Sequence, residues 1–239
     1  MANNVHYSVN NFYSTIDAGH LFIEYGQKIL KKRKPIYLEA TCSVQVLYPL
    51  VDLIGKALGG LSPWRFKKIN EVGNIFSILE GEINRIPVHI KVENRMSPKD
   101  PDNYALLFHH MTLFTESGQL VLDDSNGLVL WKPRYYVPKK DDGTLTFKDE
   151  DIFSDQGIVK VLNPEAMKYT YGNLYKTLWP RGIQRRIEIF DKQLGQSMNK
   201  QEMQYQLNLC KMWQSIGTEL GPTQSIDGKP IVPLDVEML

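Results

Sequence analysis

The segment that most constrains the fold is residues 35–64, PIYLEATCSVQVLYPLVDLIGKALGGLSPW. It opens with a short apolar run at residues 36–38, which is typical of a buried strand. A small polar corner follows at residues 40–43, and apolar residues then recur at spacings of three and four, as in a helix. Glycines and a proline end this helix at residues 59–63. The segment therefore predicts a strand followed by a helix that packs on a sheet.

Similar patterns assign the rest of the chain. β-favouring residues predict a strand at residues 5–13, and an apolar face predicts a helix at residues 16–30. Alternating residues predict strands at 64–69, 76–82, 88–93, 108–115, 119–123 and 128–132. Apolar stripes predict helices at 164–175, 180–194 and 199–220. The stripe of the second includes Ile183 and Ile187. The last helix is expected to bury Met203, Leu207, Cys210, Met212, Trp213 and Ile216.

Hydroxyl side chains mark candidate N-caps of the first two helices at Ser14, Thr15, Thr41 and Ser43.

This order of elements predicts an α+β fold, in which a large, mostly antiparallel sheet carries helices on one face. Residues 1–239 would form a single domain, with residues 135–153 as a hairpin or a flap. The other sheet face would carry mixed side chains, namely Lys67, Glu80, Glu82, His89, Lys91, Glu93, Thr112 and Phe114. Such a face can be exposed to solvent or can form a dimer interface, and the sequence does not choose between these two possibilities.

Composition excludes several classes of function. The net charge of +1 argues against a general nucleic-acid-binding protein, which carries a basic excess. No apolar run reaches the roughly 20 residues of a membrane span, and the N-terminus is not a signal peptide, so we expect a cytoplasmic protein. The two cysteines, Cys42 and Cys210, suit a reducing cytosol and are too few for a zinc site. His109 and His110 are neighbours on a predicted strand and face opposite ways, so we expect no metal site there.

Tyr13 is the most informative candidate for chemistry. It lies at the end of the first predicted strand, beside His6, Asn10 and Asn11. Functional residues often lie where strands meet loops, and a phenol there can donate a proton or bind a substrate. On the residues alone, however, a tyrosine packed on the core with its hydroxyl in water is the favoured interpretation.

Three long strings resemble the C-terminal part of thiazolinyl imide reductases, which belong to the glucose–fructose oxidoreductase type of dehydrogenase. The strings are HYSVNNFYS, CSVQVLYPLVDLIGKALGGLSPW and KVENRMSPKDPDNYALLFHHMTLFTESGQLVLDDSNGLVLWKPR. The resemblance is best over residues 5–135, and residues 136–239 form a connection and a helical tail. It implies NADPH-dependent reduction of a thiazoline C=N to a thiazolidine, on a carrier-protein-bound intermediate of siderophore biosynthesis by nonribosomal peptide synthesis.

The resemblance also implies roles for individual residues. Tyr13 matches the candidate general acid, and Asn10 and His6 are weaker candidates for substrate binding. Asn94 and His110 are expected near the same sheet, His110 as a structural residue. The family's NADPH is bound by an N-terminal Rossmann domain, so no cofactor-binding residue is expected in this sequence.

The family's glycine-rich turn and EHP-type segment are not found in these 239 residues. A split enzyme, a truncated gene product and a fragment all remain open as explanations. In each case we expect this chain to be inactive alone and to need a Rossmann-domain partner. The other expected partners are a nonribosomal peptide synthetase carrier protein and a second copy bound through the sheet. The alternative is a non-catalytic module that binds carrier protein or itself.

Overall fold

The fold is built on one mixed sheet of eight strands, in the order β2-β3-β4-β1-β6-β7-β8-β9. The computed structural model describes residues 11–69, 74–101, 103–135, 139–140, 142–144, 157–193, 200–229, 234 and 237. The strands of the large sheet are β1 Tyr37–Ser43, β2 Trp64–Lys68, β3 Phe76–Ile83, β4 Ile86–Glu93, β6 His109–Thr115, β7 Gly118–Leu122, β8 Val129–Pro133 and β9 Lys160–Val161. A second, small sheet pairs β5 Arg95–Met96 with β10 Gln224–Ser225.

The helices follow the predicted order. They are α1 Asp17–Leu30, α2 Leu47–Ala57, α3 Tyr171–Asn173, α4 Trp179–Gln193 and α5 Lys200–Leu220. Short 3₁₀ helices cover Phe12–Ser14, Val44–Val46 and Pro164–Lys168, and a π-helix covers Leu174–Leu178. The single helix expected at 164–175 is therefore broken into three pieces that lead into α4. No helix in the described part of the chain is long and apolar enough to cross a bilayer.

The central position of β1 results from the path of the chain. After β1, α2 carries the chain away to the edge strand β2, and the antiparallel run β2–β3–β4 returns beside β1. β4 therefore pairs with β1 in parallel, whereas β6 pairs with its other side in antiparallel. The predicted fold class, a large and mostly antiparallel sheet with helices on one face, is confirmed.

The polar corner expected at residues 40–43 is wrong. These residues continue β1, in which Ala40 and Cys42 are fully buried on the helix side and alternate with Glu39 and Thr41 on the other. The strand continues to Ser43, which is buried like Cys42, because small residues fit the tightly packed centre of the sheet.

None of the four predicted N-cap hydroxyls caps α1 or α2, although Ser43 occupies the N-cap position of the 3₁₀ helix Val44–Val46 that leads into α2. Thr41 lies inside β1, and the hydroxyls of Ser14 and Thr15 donate to the carbonyls of Asn11 and Phe12, both at 2.7 Å. Their hydrogen bonds close the 3₁₀ turn Phe12–Ser14 and leave α1 to begin after Ile16 without a side-chain cap. The fourth, Ser43, donates instead to the buried carboxylate of Glu93 at 2.6 Å.

The strand expected at residues 5–13 is wrong at its end. Residues 5–10 lie outside the described part of the chain, and Phe12–Ser14 form a 3₁₀ turn rather than a strand end.

α2 forms the centre of the core. Its residues Leu50, Val51, Leu53, Ile54 and Ala57 have no exposed surface, because β1 lies under the helix and α1 and α5 lie against its sides. Burying a side chain of this size contributes about 1.5–3 kcal/mol. The helix ends as predicted, since Gly59 has a φ of 70° and the Gly60 N–H donates to the Gly55 carbonyl at 2.8 Å.

The expected burial of α5 is only partly right. Met212 and Ile216 are fully buried, but Met203, Leu207, Cys210 and Trp213 are exposed. Their places in the core are taken by Leu209 and Leu220. The predicted stripe on α4 is likewise about half exposed at Ile183 and Ile187, since the helix turns Gly182 toward Ile16 instead. Periodicity located both helices but not the faces they bury.

The open sheet face carries the mixed side chains that were expected. Lys91 pairs with Glu39 across β4 and β1, and Arg65 pairs with Glu82 at 3.0 Å across β2 and β3. Glu93 is the exception, because it is 1% exposed and accepts hydrogen bonds from Ser43, from the Leu106 N–H and from Arg95.

Candidate functional site

Tyr13 lies on the 3₁₀ turn Phe12–Ser14, which leads into α1. Its half-buried ring packs edge-to-face on the His109 imidazole, with ring centroids 4.7 Å apart. Phe12 and Phe108 pack on the same ring at 5.5 Å and 6.0 Å. Aromatic pairs at these separations contribute about 0.5–1.5 kcal/mol each beyond the buried area, so the tyrosine ring is held in place.

The other predicted site residues are not brought to Tyr13. His6 and Asn10 lie outside the described residues. His110 is on the open face, where its Nδ1 lies 3.1 Å from the Asp123 carbonyl. Asn94 follows β4, and its side-chain NH₂ donates to the carbonyls of Gly221 and Pro222.

His109 is fully buried, and its two ring nitrogens have fixed roles. Nε2 lies 2.9 Å from the Val46 carbonyl, which can only accept, so Nε2 carries the proton. Nδ1 then accepts from the Ser125 hydroxyl at 3.0 Å. Burial lowers the pKa of His109 from 6.5 to about 4, which keeps the imidazole neutral at neutral pH. His109 is therefore a positioning residue for the Tyr13 ring.

The residues on either side of Tyr13 are anchored to α2. Asn11 donates from Nδ2 to Oδ1 of Asp52 at 2.9 Å, and Lys56 donates from Nζ to the Ser14 hydroxyl at 2.7 Å. Lys56 also pairs with Oδ2 of Asp52 at 2.8 Å. Asp52 is only 1% exposed, so these bonds form in a region of low dielectric, where charge-assisted hydrogen bonds are strong.

α1 and α5 also constrain this turn. Gly19 of α1 lies against the Tyr13 carbonyl, and a Cβ at this position would be 2.0 Å from that oxygen. The Tyr205 hydroxyl of α5 donates to Oδ1 of Asp52 at 2.9 Å. Burial and the neighbouring Asp52 carboxylate both raise the pKa of Tyr205, so its hydroxyl remains a donor.

α4 closes the other side of the turn. Arg181 and Arg185 both bond to the Asp17 carboxylate at 2.6 Å, and Arg185 also donates to the Thr15 carbonyl at 2.8 Å. Trp179 packs on Phe12 with ring centroids 5.9 Å apart. The turn that carries Tyr13 is thus fixed by α1, α2 and α4 together.

This arrangement suits a proton donor or a hydrogen-bond donor rather than a metal or nucleotide site. Neither α1 nor α2 begins after a glycine-rich turn, which is the arrangement that binds a pyrophosphate. Within the described ranges, His, Cys, Asp and Glu side chains form no group of three or more that would hold a metal ion.

Sequence reasoning missed Asp52 and His109 as parts of this site. Both carried a signal, because Asp52 interrupts an apolar helix and has Lys56 one turn later. His109 points to the same buried side of β6 as Met111 and Leu113, because every second residue of a strand faces the same way. A polar residue at a core position needs a buried partner, and these two partners come from distant segments.

Comparisons with known proteins agree with the fold. Residues 33–132 match the family model described as "Thiazolinyl imine reductase Irp3-like, C-terminal". This range lies inside the resemblance drawn from the sequence. A search of curated proteins finds no match.

Several solved dehydrogenases share the fold at low identity. Levoglucosan dehydrogenase in complex with NADH and L-sorbose has a TM-score of 0.54 and 11% identity, covering 94% of this chain and 68% of its own. Its complex with NADH and levoglucosan has a TM-score of 0.51 and 12% identity, and the match covers 91% of this chain and 66% of that structure's chain. A dehydrogenase from Chromobacterium violaceum has a TM-score of 0.52 and 10% identity, and the match covers 89% of this chain and 60% of the dehydrogenase chain. The chain therefore spans about two thirds or less of the length of these structures, and the likeness establishes the fold.

Replacing Asp52 by alanine should destabilise the protein by about 3 kcal/mol, because Lys56, Asn11 and Tyr205 lose a shared buried partner. Chemical denaturation measures this change. The matched control is Glu24→Ala, which removes an exposed pair with Lys28 at the same helical spacing and should cost no more than about 0.5 kcal/mol. Equal losses in the two variants would show that the Asp52 network does not hold the turn.

The buried His109 should make stability depend on pH. Its pKa is about 4 in the folded protein against an ordinary 6.5, so between these values the unfolded chain binds a proton that the folded protein does not. The contribution of the neutral, buried His109 to the free energy of unfolding is therefore complete above pH 6.5. The free energy of unfolding falls by about 3 kcal/mol as the pH drops toward 4. Unfolding free energies measured at pH 7 and pH 5 in wild type, His109→Gln and His110→Gln test this. The loss should shrink in His109→Gln alone, and an undiminished loss there would contradict the assignment.

Proposed function

We propose that this chain, whose residues 33–132 match the family model "Thiazolinyl imine reductase Irp3-like, C-terminal", is the substrate-binding domain of an NADPH-dependent thiazolinyl imine reductase. The substrate is a thiazoline on a nonribosomal peptide synthetase carrier protein, in cytoplasmic siderophore biosynthesis, and the C=N bond is reduced to a thiazolidine. The family match is the observation that carries this proposal. Residues 1–239 act as one α+β domain.

NADPH, when bound, would supply a hydride for the C=N carbon. The described residues do not form a pyrophosphate cradle, so the cofactor is assigned to a Rossmann domain, on the same polypeptide or on a separate one. This chain's part is to hold the thiazoline and to provide the proton that the ring nitrogen needs. Without the Rossmann domain it should not turn over substrate.

Tyr13 is the group that we assign to the proton transfer. Its ring is fixed by His109 and Phe108, and its turn is fixed by Asp52 and Lys56, so its phenol is held in one place. A positioned acid of this kind contributes about 10²–10⁴-fold to a rate. His109 keeps the ring oriented and is itself neutral, so it is not the acid.

The Tyr13→Phe variant should lower kcat/KM by about 10²-fold, because it removes the proton donor and keeps the ring packing. The assay combines the chain with its Rossmann domain and follows NADPH oxidation with a thiazolinyl carrier protein. Tyr135→Phe, at an 85% exposed position, is the matched control and should leave the rate unchanged. An unchanged rate for Tyr13→Phe, or binding of carrier protein without any nucleotide-dependent reduction, would favour the alternative of a non-catalytic binding module.

The open sheet face supports a homodimer as part of the same proposal. Its apolar part includes the partly exposed side chains of Tyr37 and Phe114, whose ring centroids are 5.7 Å apart, and of Leu130. Its other part carries the pairs Lys91–Glu39 and Arg65–Glu82. An apolar patch next to charges of both signs is self-complementary when two copies meet.

If this face is the interface, Phe114→Asp should convert a dimer into a monomer, because it places a charge in the apolar part. Size-exclusion chromatography with light scattering measures the mass. Leu106→Asp, at a 58% exposed position outside the sheet, is the control and should remain dimeric. A wild-type chain that is monomeric at high micromolar concentration would contradict this part of the proposal.

A further inference from the structure

A groove of about 690 Å³ runs between the C-terminal end of α5 and the connection from β1 to α2. Val44 and Leu47 form one wall, and Trp213 of α5, which is 43% exposed, forms part of the other. The Trp213 ring is fixed by an edge-to-face contact with Tyr48, with centroids 5.8 Å apart. The volume lies within the range of about 300–1,000 Å³ that is typical of small-molecule sites.

The polar groups of this groove are amides and hydroxyls. Asn94, Gln214 and Thr218 line it, and none of the residues that line it is charged. Asn94 is only 7% exposed, and its side-chain oxygen is buried without a hydrogen-bond partner among the described residues. An unpaired buried acceptor costs free energy unless a donor reaches it, so this amide marks a place in the groove wall where polar pairing is incomplete.

The groove and the Tyr13 site share one structural element. Val46 accepts the hydrogen bond of His109, the residue on which Tyr13 packs, and Val44 and Leu47 lie on either side of Val46 along the chain. The groove therefore borders the connection whose Val46 carbonyl bonds to His109, the residue on which Tyr13 packs.

We propose that this groove binds the pantetheine arm by which a carrier protein presents its substrate. The inference rests on the proposed function and names the part of the substrate that is recognised. Pantetheine is an extended, uncharged chain with two amides and a branched apolar segment, and the groove offers uncharged amide and hydroxyl groups between apolar walls. Charged ligands gain nothing here, since the lining residues supply no charge to pair with them.

Gly217 allows the groove to be filled without disturbing the core. It lines the groove on the exposed side of α5, and a Cβ added there meets nothing within 4 Å. Replacing glycine inside a helix also favours helix formation, so Gly217→Trp should fold normally. Lys211→Trp adds the same ring at an exposed position of α5 that does not line the groove, and it is the matched control.

With the Rossmann domain present, Gly217→Trp should raise KM for the carrier-bound thiazoline about tenfold or more, an effect of about 1.4 kcal/mol. Turnover of an untethered thiazoline should be unchanged, and Lys211→Trp should behave as wild type. An unchanged KM for the carrier-bound substrate, or equal losses with both substrates, would overturn the assignment.

A direct titration separates this inference from the proposed reductase activity. Free pantetheine, coenzyme A and a neutral apolar peptide are each added to the protein, and amide NMR shifts near Asn94 and Trp213 are followed. Pantetheine should shift these signals in wild type and Lys211→Trp but not in Gly217→Trp, even if the protein reduces no thiazoline. If the peptide shifts these signals and pantetheine does not, the pantetheine arm is ruled out. It is also ruled out if none of the three ligands shifts them. Shifts with coenzyme A equal to those with pantetheine would support the same arm from a free source.

Discussion

The burial of α2 on β1 is the constraint on which the rest of the structure depends. The helix is apolar on nearly every side, so its burial needs the sheet beneath it and two helices beside it. α1 and α5 supply those sides, although 169 residues lie between the end of α1 at Leu30 and the start of α5 at Lys200. Gly26 allows α1 to approach closely, since a Cβ there would lie 3.1 Å from the Cβ of Ala57. The chain therefore closes around one helix.

That burial also gives the one acidic residue of α2 its importance. Asp52 lies inside the layer of helices, where an unpaired carboxylate would be costly. It is satisfied by Asn11, Lys56 and Tyr205, and these bonds extend from α2 to the turn before α1 and to α5. The same bonds that compensate the buried charge fix the segment that carries Tyr13. Stability and the geometry of the candidate site thus depend on the same group.

The short connection Val44–Val46 has a second role at the other end of α2. Its Val46 carbonyl sets the tautomer of His109, and its neighbours form a wall of the groove beside α5. A site for the reacting ring and a site for an extended arm can therefore lie on the two sides of one rigid connection. Such a connection positions groups more reproducibly than a long loop, because β1 and α2 fix both of its ends.

The sequence by itself determined the order of the main strands and helices, the end of α2 at Gly59, and the opposite facing of His109 and His110. These features depend on periods of two and about 3.6 residues and on local turn chemistry, which a short stretch of chain contains in full. Tyr13 was singled out by its position and by the resemblance, but the residues that surround it were not predicted. Only the tertiary structure decided that residues 40–43 stay in β1, that the hydroxyls of Ser14 and Ser43 do not cap α1 or α2, and that Asp52 and His109 support the tyrosine. Each of these outcomes depends on partners more than 40 residues away or on competition between alternative acceptors, which local pattern does not encode.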